Sequence, residues 1–135
     1  MPTYRIKQAA ELLGVSDDTV RRWTDSGRLH ASSDGSRQVV EGSQLAELAQ
    51  ELAAGSEHLE PGPVVRASAR NRFVGLVTRV VRDTVMAQVE IQSGPHRVVS
   101  LMSREAADEL QLEPGVLAIA AVKSTNVVIE LPEKP

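Results

Sequence analysis

The sequence contains no cysteine, and its 135 residues include only one Trp, one Tyr and one Phe. The first absence excludes disulfides, thiolate zinc sites and cysteine nucleophiles. The second means that any core is aliphatic and small, so oligomerisation would help stability, most of all in the Val-rich second half. No apolar run approaches the length of a membrane span, and no signal-peptide core opens the chain. A cytoplasmic protein with no membrane partner is therefore expected. An H-E-x-x-H spacing, a Gly-rich phosphate loop and a nucleophile elbow are all missing. His30, His58 and His96 fall in turn or linker contexts, and the carboxylates scatter over helix surfaces and turns. The chain does not read as an enzyme, and neither a metal-ion site nor a cofactor is expected.

Charge is scarce in one place more than another. The net charge is −3, which counts against a generic polyanion binder. Residues 1–60 hold six Lys/Arg against ten Asp/Glu, whereas residues 61–135 hold nine against eight. Any nucleic-acid face on the first half must be a local arginine cluster.

What is present divides into two domains. Residues 1–53 alternate helical periodicity with turns, residues 54–63 form a polar linker with Gly55, Pro61, Gly62 and Pro63, and residues 64–135 are mostly Val-rich runs. The fold class is α+β: a winged helix-turn-helix, then a small β-barrel with one short helix.

In the first domain Ile6, Ala9, Ala10 and Leu13 recur at helical spacing, and Gly14 sits where the helix should end. Ser16 offers an N-cap hydroxyl, and Asp17 and Asp18 suit the positive end of a second helix. Val20 and Trp23 form its buried stripe, leaving Thr19, Arg21 and Arg22 on the exposed side. An Asp34-Gly35 turn then joins two extended runs into a wing. Ser43 caps a last helix with Leu45, Leu48, Ala49 and Leu52 inward. The segments Ala9-Ala10-Glu11-Leu12-Leu13-Gly14-Val15-Ser16, Thr19-Val20-Arg21-Arg22-Trp23 and Gly27-Arg28-Leu29 resemble the MerR and excisionase helix-turn-helix. Carried over by position, that resemblance implies DNA contacts from Thr19, Arg21 and Arg22, with Arg28 and Arg37 as phosphate anchors. The bland alternative is a protein-interaction module whose arginines only solvate a surface. The usual MerR coiled-coil dimerisation helix has no counterpart here.

In the second domain residues 73–81, 84–92 and 96–102 read as strands. Ser103 can cap a short helix through Leu110, with Ala106, Ala107 and Leu110 inward. Pro114-Gly115 stops the connection, and residues 116–122 and 127–131 read as two further strands. Five strands and one helix suit an OB-like Greek-key barrel. Ser68 and Arg70 stand just before the first strand, and Lys123-Ser124-Thr125 form a turn between the last two. Hydroxyls, cations and backbone amides at strand mouths make an anion-binding corner, although each motif alone also reads as a polar strand end.

Ser68-Ala69-Arg70-Asn71 with Gly75, then Val99-Ser100-Leu101-Met102-Ser103, Pro114-Gly115 and Lys123-Ser124-Thr125, resemble the molbindin (Mop, TOBE-like) domain of molybdate-binding proteins and ModE-type regulators. That resemblance places an oxyanion site on Ser68, Arg70, Lys123 and Ser124, with Ser100 and Ser103 approaching from another subunit. Ser103 also has a simpler role as the helix cap. The implied ligand is molybdate or tungstate, and the implied assembly is a homo-oligomer, a dimer at least, with a hexamer also compatible. The leading expectation is a molybdate-responsive, DNA-binding transcriptional regulator. The alternatives are a molybdate storage protein and an adaptor with a vestigial site.

Overall fold

The first helix, α1 (Ile6–Leu13), forms where Ile6, Ala9 and Ala10 share one buried face. Gly14 ends it in the left-handed region at φ 70°, a conformation that costs glycine nothing. Val15 then carries the chain to Ser16, whose hydroxyl accepts from the Thr19 N–H and starts α2 (Asp17–Asp25). The computed structural model describes residues 2–55 and 68–133. The chain divides into two units, Met1–His58 and Leu59–Pro135. The expected linker lies outside the described residues except for Ala54 and Gly55, which belong to the end of the third helix.

The wing of the first unit has more strands than the sequence pattern suggested. β2 (Ala31–Asp34) and β3 (Arg37–Glu41) pair antiparallel across the Asp34-Gly35 turn. A short N-terminal strand, β1 (Thr3–Arg5), pairs with the other edge of β3. Three residues carry too little periodicity to announce a strand, so only two were expected. α3 (Gly42–Gly55) starts one residue before Ser43, because the Gly42 N–H donates to the Pro2 carbonyl (2.9 Å) and holds the helix against the entry of β1. Ser43 is thus inside the helix and is not its cap. Leu45 and Leu48 are buried and Leu52 packs against them, whereas Ala49 lies beside that stripe and is exposed. The unit closes on eight buried residues, among them Val20, Leu29 and Val40.

The second unit is a curled antiparallel sheet of four strands in the order β6-β5-β4-β7. Its long strand β4 (Asn71–Arg82) changes partner along its length. Residues 71–76 pair with β7 (Leu117–Val122), and residues 76–82 pair with β5 (Met86–Ser93) past a bulge between Val77 and Arg79. β5 pairs in turn with β6 (His96–Ser103). A Cβ on Gly75 would stand 2.3 Å from the Gln92 carbonyl oxygen and 2.9 Å from Ile91 Cγ2. Glycine is needed there because β5 crosses too close for any side chain.

Three details depart from expectation, and one expected cap is found. The second strand begins at Met86, two residues after Thr84, because Asp83 turns the chain: its carboxylate accepts from the Met86 and Val85 N–H groups (2.7 and 2.8 Å). Those bonds, with Arg104 nearby, hold the Asp83 carboxyl below the usual aspartate range. Ser103 does cap the short helix α4 (Arg104–Glu109), accepting from the Ala106 N–H at 3.1 Å. Leu110 is nevertheless exposed, because Gln111 takes a left-handed φ of 53° and brings Leu112 to the core instead. Residues 127–131 are not a fifth strand. Val127 is extended (φ −88°, ψ 124°), but no neighbouring strand accepts its ladder.

The buried core of this unit is small: Val77, Val89 and Ile91, with Val80, Met102, Leu112, Val116, Ala118 and Ala120 around them. Gly75→Ala must push β5 away from this cluster. Overpacking of this kind costs about 1–3 kcal/mol. Urea denaturation of the full chain checks this, with the transition of the β unit expected at lower denaturant. An unchanged midpoint would mean that the crossing relaxes freely.

Candidate functional site

The antiparallel register of β4 and β7 pairs Asn71 with Val122. The residues just before β4 are therefore laid beside those just after β7. Ser68 and Arg70 lie on one side of this strand end, and Lys123 and Ser124 on the other, all four exposed. The Asn71 side-chain amide donates to the Val122 carbonyl at 3.2 Å and ties the two strands together at this end. Lys123 leads into a single 3-10 turn, Ser124–Asn126, closed by the Asn126 N–H on the Lys123 carbonyl (2.9 Å). Two motifs more than fifty residues apart in sequence form one corner with two cations and several hydroxyls.

Ser100 and Ser103 belong to a different strand from this corner. Both lie on β6, at the opposite edge of the sheet from β7. Ser100 pairs with Val89, which pairs with Val80 on β4. Val80 is nine residues beyond Asn71, about 30 Å along the strand at the usual rise. Ser103 lies farther still, opposite Met86, and its oxygen already caps α4. Ser100 nevertheless lines one trough with Ala121 and Val122 of β7, because the curl of the sheet turns its two edges toward each other.

In the first unit, α2 exposes Arg21 and Arg22 on the side away from buried Val20. Arg21 lies 3.5 Å from Asp18, an exposed pair of little strength. Arg22 donates to the Thr19 hydroxyl at 3.4 Å, and that hydroxyl lies 2.9 Å from Ser16 Oγ. Thr19, expected on the exposed side, is half-buried and engaged in the cap. Arg28 stacks over Trp23, 5.1 Å from the ring centre, and lies 3.7 Å from the Glu51 carboxylate on α3. Arg37 is exposed at the start of β3, opposite Asp34 in the register. Two participants escaped the sequence reading: Asn71, although it stands in the quoted motif, and Glu51, whose contact with Arg28 depends on tertiary packing.

Among the described residues no group of three or more His, Asp or Glu could hold a metal ion, and no helix is long and apolar enough to cross a membrane.

Residues 67–129 match the TOBE domain. Molybdenum-pterin-binding protein 2 of Clostridium pasteurianum is 35% identical over 63 residues, 46% of this chain and 93% of that protein. The chain belongs to the TOBE family. Its TOBE domain follows a second match, to the helix-turn-helix domain, over residues 3–53. The molybdenum transport protein ModE of Herbaspirillum seropedicae is 36% identical over 66 residues, 48% of this chain but 24% of that protein. The chain thus spans about a quarter of that relative's length and nearly all of the clostridial one. A molybdate-binding protein from Sporomusa ovata, known by structure, is 27% identical with a TM-score of 0.48, covering 50% of this chain and 100% of that one.

The Asn71–Val122 bond holds the TOBE corner together. Asn71→Ala should lower the stability of the full chain by about 1 kcal/mol, the usual net worth of one such bond. Thermal unfolding measures it, and a shift of zero would mean that the strand ends do not depend on the amide.

Proposed function

We propose that this chain is a molybdate- or tungstate-binding, DNA-binding transcriptional regulator. In this reading an oxyanion held at a subunit interface of the TOBE domain modulates the helix-turn-helix. The working division is a DNA-binding domain over 1–53, a linker over 54–63 and an oxyanion-binding domain over 64–135. One observation supports the reading: the β4–β7 register ends on the pair Asn71 and Val122, so the two motifs that hold Ser68, Arg70, Lys123 and Ser124 flank the same strand end.

The chemistry follows from what the corner offers. Molybdate and tungstate are tetrahedral dianions with no proton to donate at neutral pH, so their best site presents donors alone. Hydroxyls and backbone N–H groups supply hydrogen bonds, while Arg70 and Lys123 oppose the two charges. Neither motif contains an Asp or Glu that would repel the anion. Phosphate usually carries a proton that a carboxylate accepts best, and neither motif contains one. Ser100 and Ser103 complete the shell from the partner subunit, so a dimer is the least assembly and a hexamer is compatible with it.

On the DNA side, Arg21 and Arg22 on α2 would reach the major groove, with Thr19 beside them, and Arg28 and Arg37 would meet phosphates. A two-fold dimer would set its two recognition helices about 34 Å apart on a palindromic site. A storage protein with the helix-turn-helix as an interaction module is the second reading. The engagement of Arg28 by Trp23 and Glu51, on a half of the chain with more acids than bases, favours it.

Titration calorimetry tests the ligand: molybdate and tungstate should bind best, sulfate more weakly and phosphate most weakly. Arg70→Ala should cost about 1.5–3 kcal/mol, as for a lost charge-assisted bond. Equal affinity for all four anions would sink the donor-only account.

The DNA reading has its own test. Arg37→Ala should weaken binding to every sequence and reduce the slope of log K against log salt by about one unit. Polarisation assays with genomic fragments around molybdate-uptake genes measure both quantities. Finding no preferred sequence there would favour storage.

A further inference from the structure

The charges of the second unit are unevenly placed. β4 carries Arg72, Arg79 and Arg82 without an acid, and β7 carries no charge at all. Residues 114–129 hold Lys123 and neither Asp nor Glu. The carboxylates gather elsewhere: Asp83 at the β4–β5 turn, Glu105, Asp108 and Glu109 on α4, and Glu113 behind it. Glu90 on β5 is buried and paired with Arg97. Glu130 and Glu133 follow on the segment beyond the 3-10 turn.

The β4–β7 register sets Arg72 opposite Ala121, one pair in from Asn71 and Val122. Phe73 pairs with Ala120, which packs against the core, so alternation turns Arg72 to the outer face of the sheet. Ala121 is too short to cover it, and Arg72 is exposed. It stands two residues after Arg70, about 7 Å along the chain at the usual rise. Arg82 and Arg104 of the same unit are held by Asp108 at 2.9 and 3.8 Å. Among the described residues no carboxylate pairs with Arg72.

We propose that Arg72 is a third cation of the anion corner, an outer charge that draws a tetrahedral dianion toward Arg70 and Lys123 without bonding to it. The inference rests on the oxyanion reading and adds a residue to it. Two cations already balance a dianion, so a third leaves the filled corner net positive and strengthens the field ahead of it. In water, the attraction of one charge for a dianion about 7 Å away is worth about fivefold in affinity at about 10 mM salt. It falls to about twofold at about 150 mM, where the screening length has shrunk to about 8 Å. This attraction depends on charge and not on shape, so it acts equally on tungstate and sulfate.

Titration calorimetry of the full chain with sodium tungstate tests this at both salt concentrations. Arg72→Gln should weaken binding about fivefold at the lower and about twofold at the higher, with the same factors for sulfate. Arg72→Lys, which keeps the charge, should bind as the unaltered chain does. Equal affinity of Arg72→Gln and the unaltered chain at low salt would overturn the proposal. A loss that persists undiminished at the higher salt would overturn it too, since that marks a residue bonded to the anion. So would an equal loss in Arg72→Lys, which marks packing in place of charge. Arg70→Ala separates this inference from the reading beneath it: a loss there at both salts, with Arg72→Gln unaffected, removes the outer cation and leaves the corner. No tungstate binding by the unaltered chain at either salt removes both.

Discussion

The second unit depends on a contact that no side chain could make. At Gly75 the backbone of β4 passes so close to Gln92 that a methyl group would collide with its carbonyl. At the same place β4 hands over from β7, its partner over residues 71–76, to β5, its partner over residues 76–82. Every paired strand twists, and one that changes partner across a glycine and a bulge also bends sharply at that point. The curl produces the concave face on which Val77, Val89 and Ile91 gather. The handover leaves the first half of β4 free to hold β7, and that pairing ends on Asn71 and Val122, next to residues 68–70 and 123–124 in the chain. Fold and corner thus share one constraint.

The corner's selectivity is a matter of what it lacks. Cations alone attract any anion, and at the exposed end of a sheet their attraction is screened within about 8 Å at physiological salt. Donor-only groups such as backbone amides, Arg70 and Lys123 distinguish anions by protonation state, because they force two donors together where the ligand keeps a proton. A second copy bringing Ser100 and Ser103 would also exclude water and strengthen each of these bonds. Under the proposed reading, a corner exposed in one chain would bind weakly, and its affinity would grow with assembly.

Much of this was legible in local pattern. The Ser16 cap, the Gly14 stop, the Asp34-Gly35 turn and the Ser103 cap are short-range signals, and each stands where its chemistry put it. The pairing of Asn71 with Val122 was not legible, since no local rule reports which strands meet across fifty residues. Gly75 was visible as a motif residue, yet its reason lies in Gln92, seventeen positions away. Leu110 and Leu112 exchanged places because one left-handed residue, Gln111, intervenes, and Gln has no general preference for that conformation. Residues 127–131 have the composition of a strand, but propensity describes a surface to be packed and cannot supply the partner.

The contrast between the two units bears on how an anion could reach DNA. The first unit buries eight residues around Val20, Leu29 and Val40, enough for a self-sufficient core of its kind. The second buries three hydrophobic residues in its main cluster and exposes an apolar tail. Burying a Val, Leu or Ile side chain fully is worth about 1.5–3 kcal/mol, so covering Val128, Ile129 and Leu131 is comparable with the stability of a whole small domain. Assembly is then where this unit has free energy to gain, and a ligand shared between copies adds to the same equilibrium by mass action. An effector can shift a second site only by binding one arrangement better than another. Under the proposed regulator reading, the arrangement with most to gain is that of two copies, and a route from oxyanion to helix-turn-helix would run through the spacing of paired subunits.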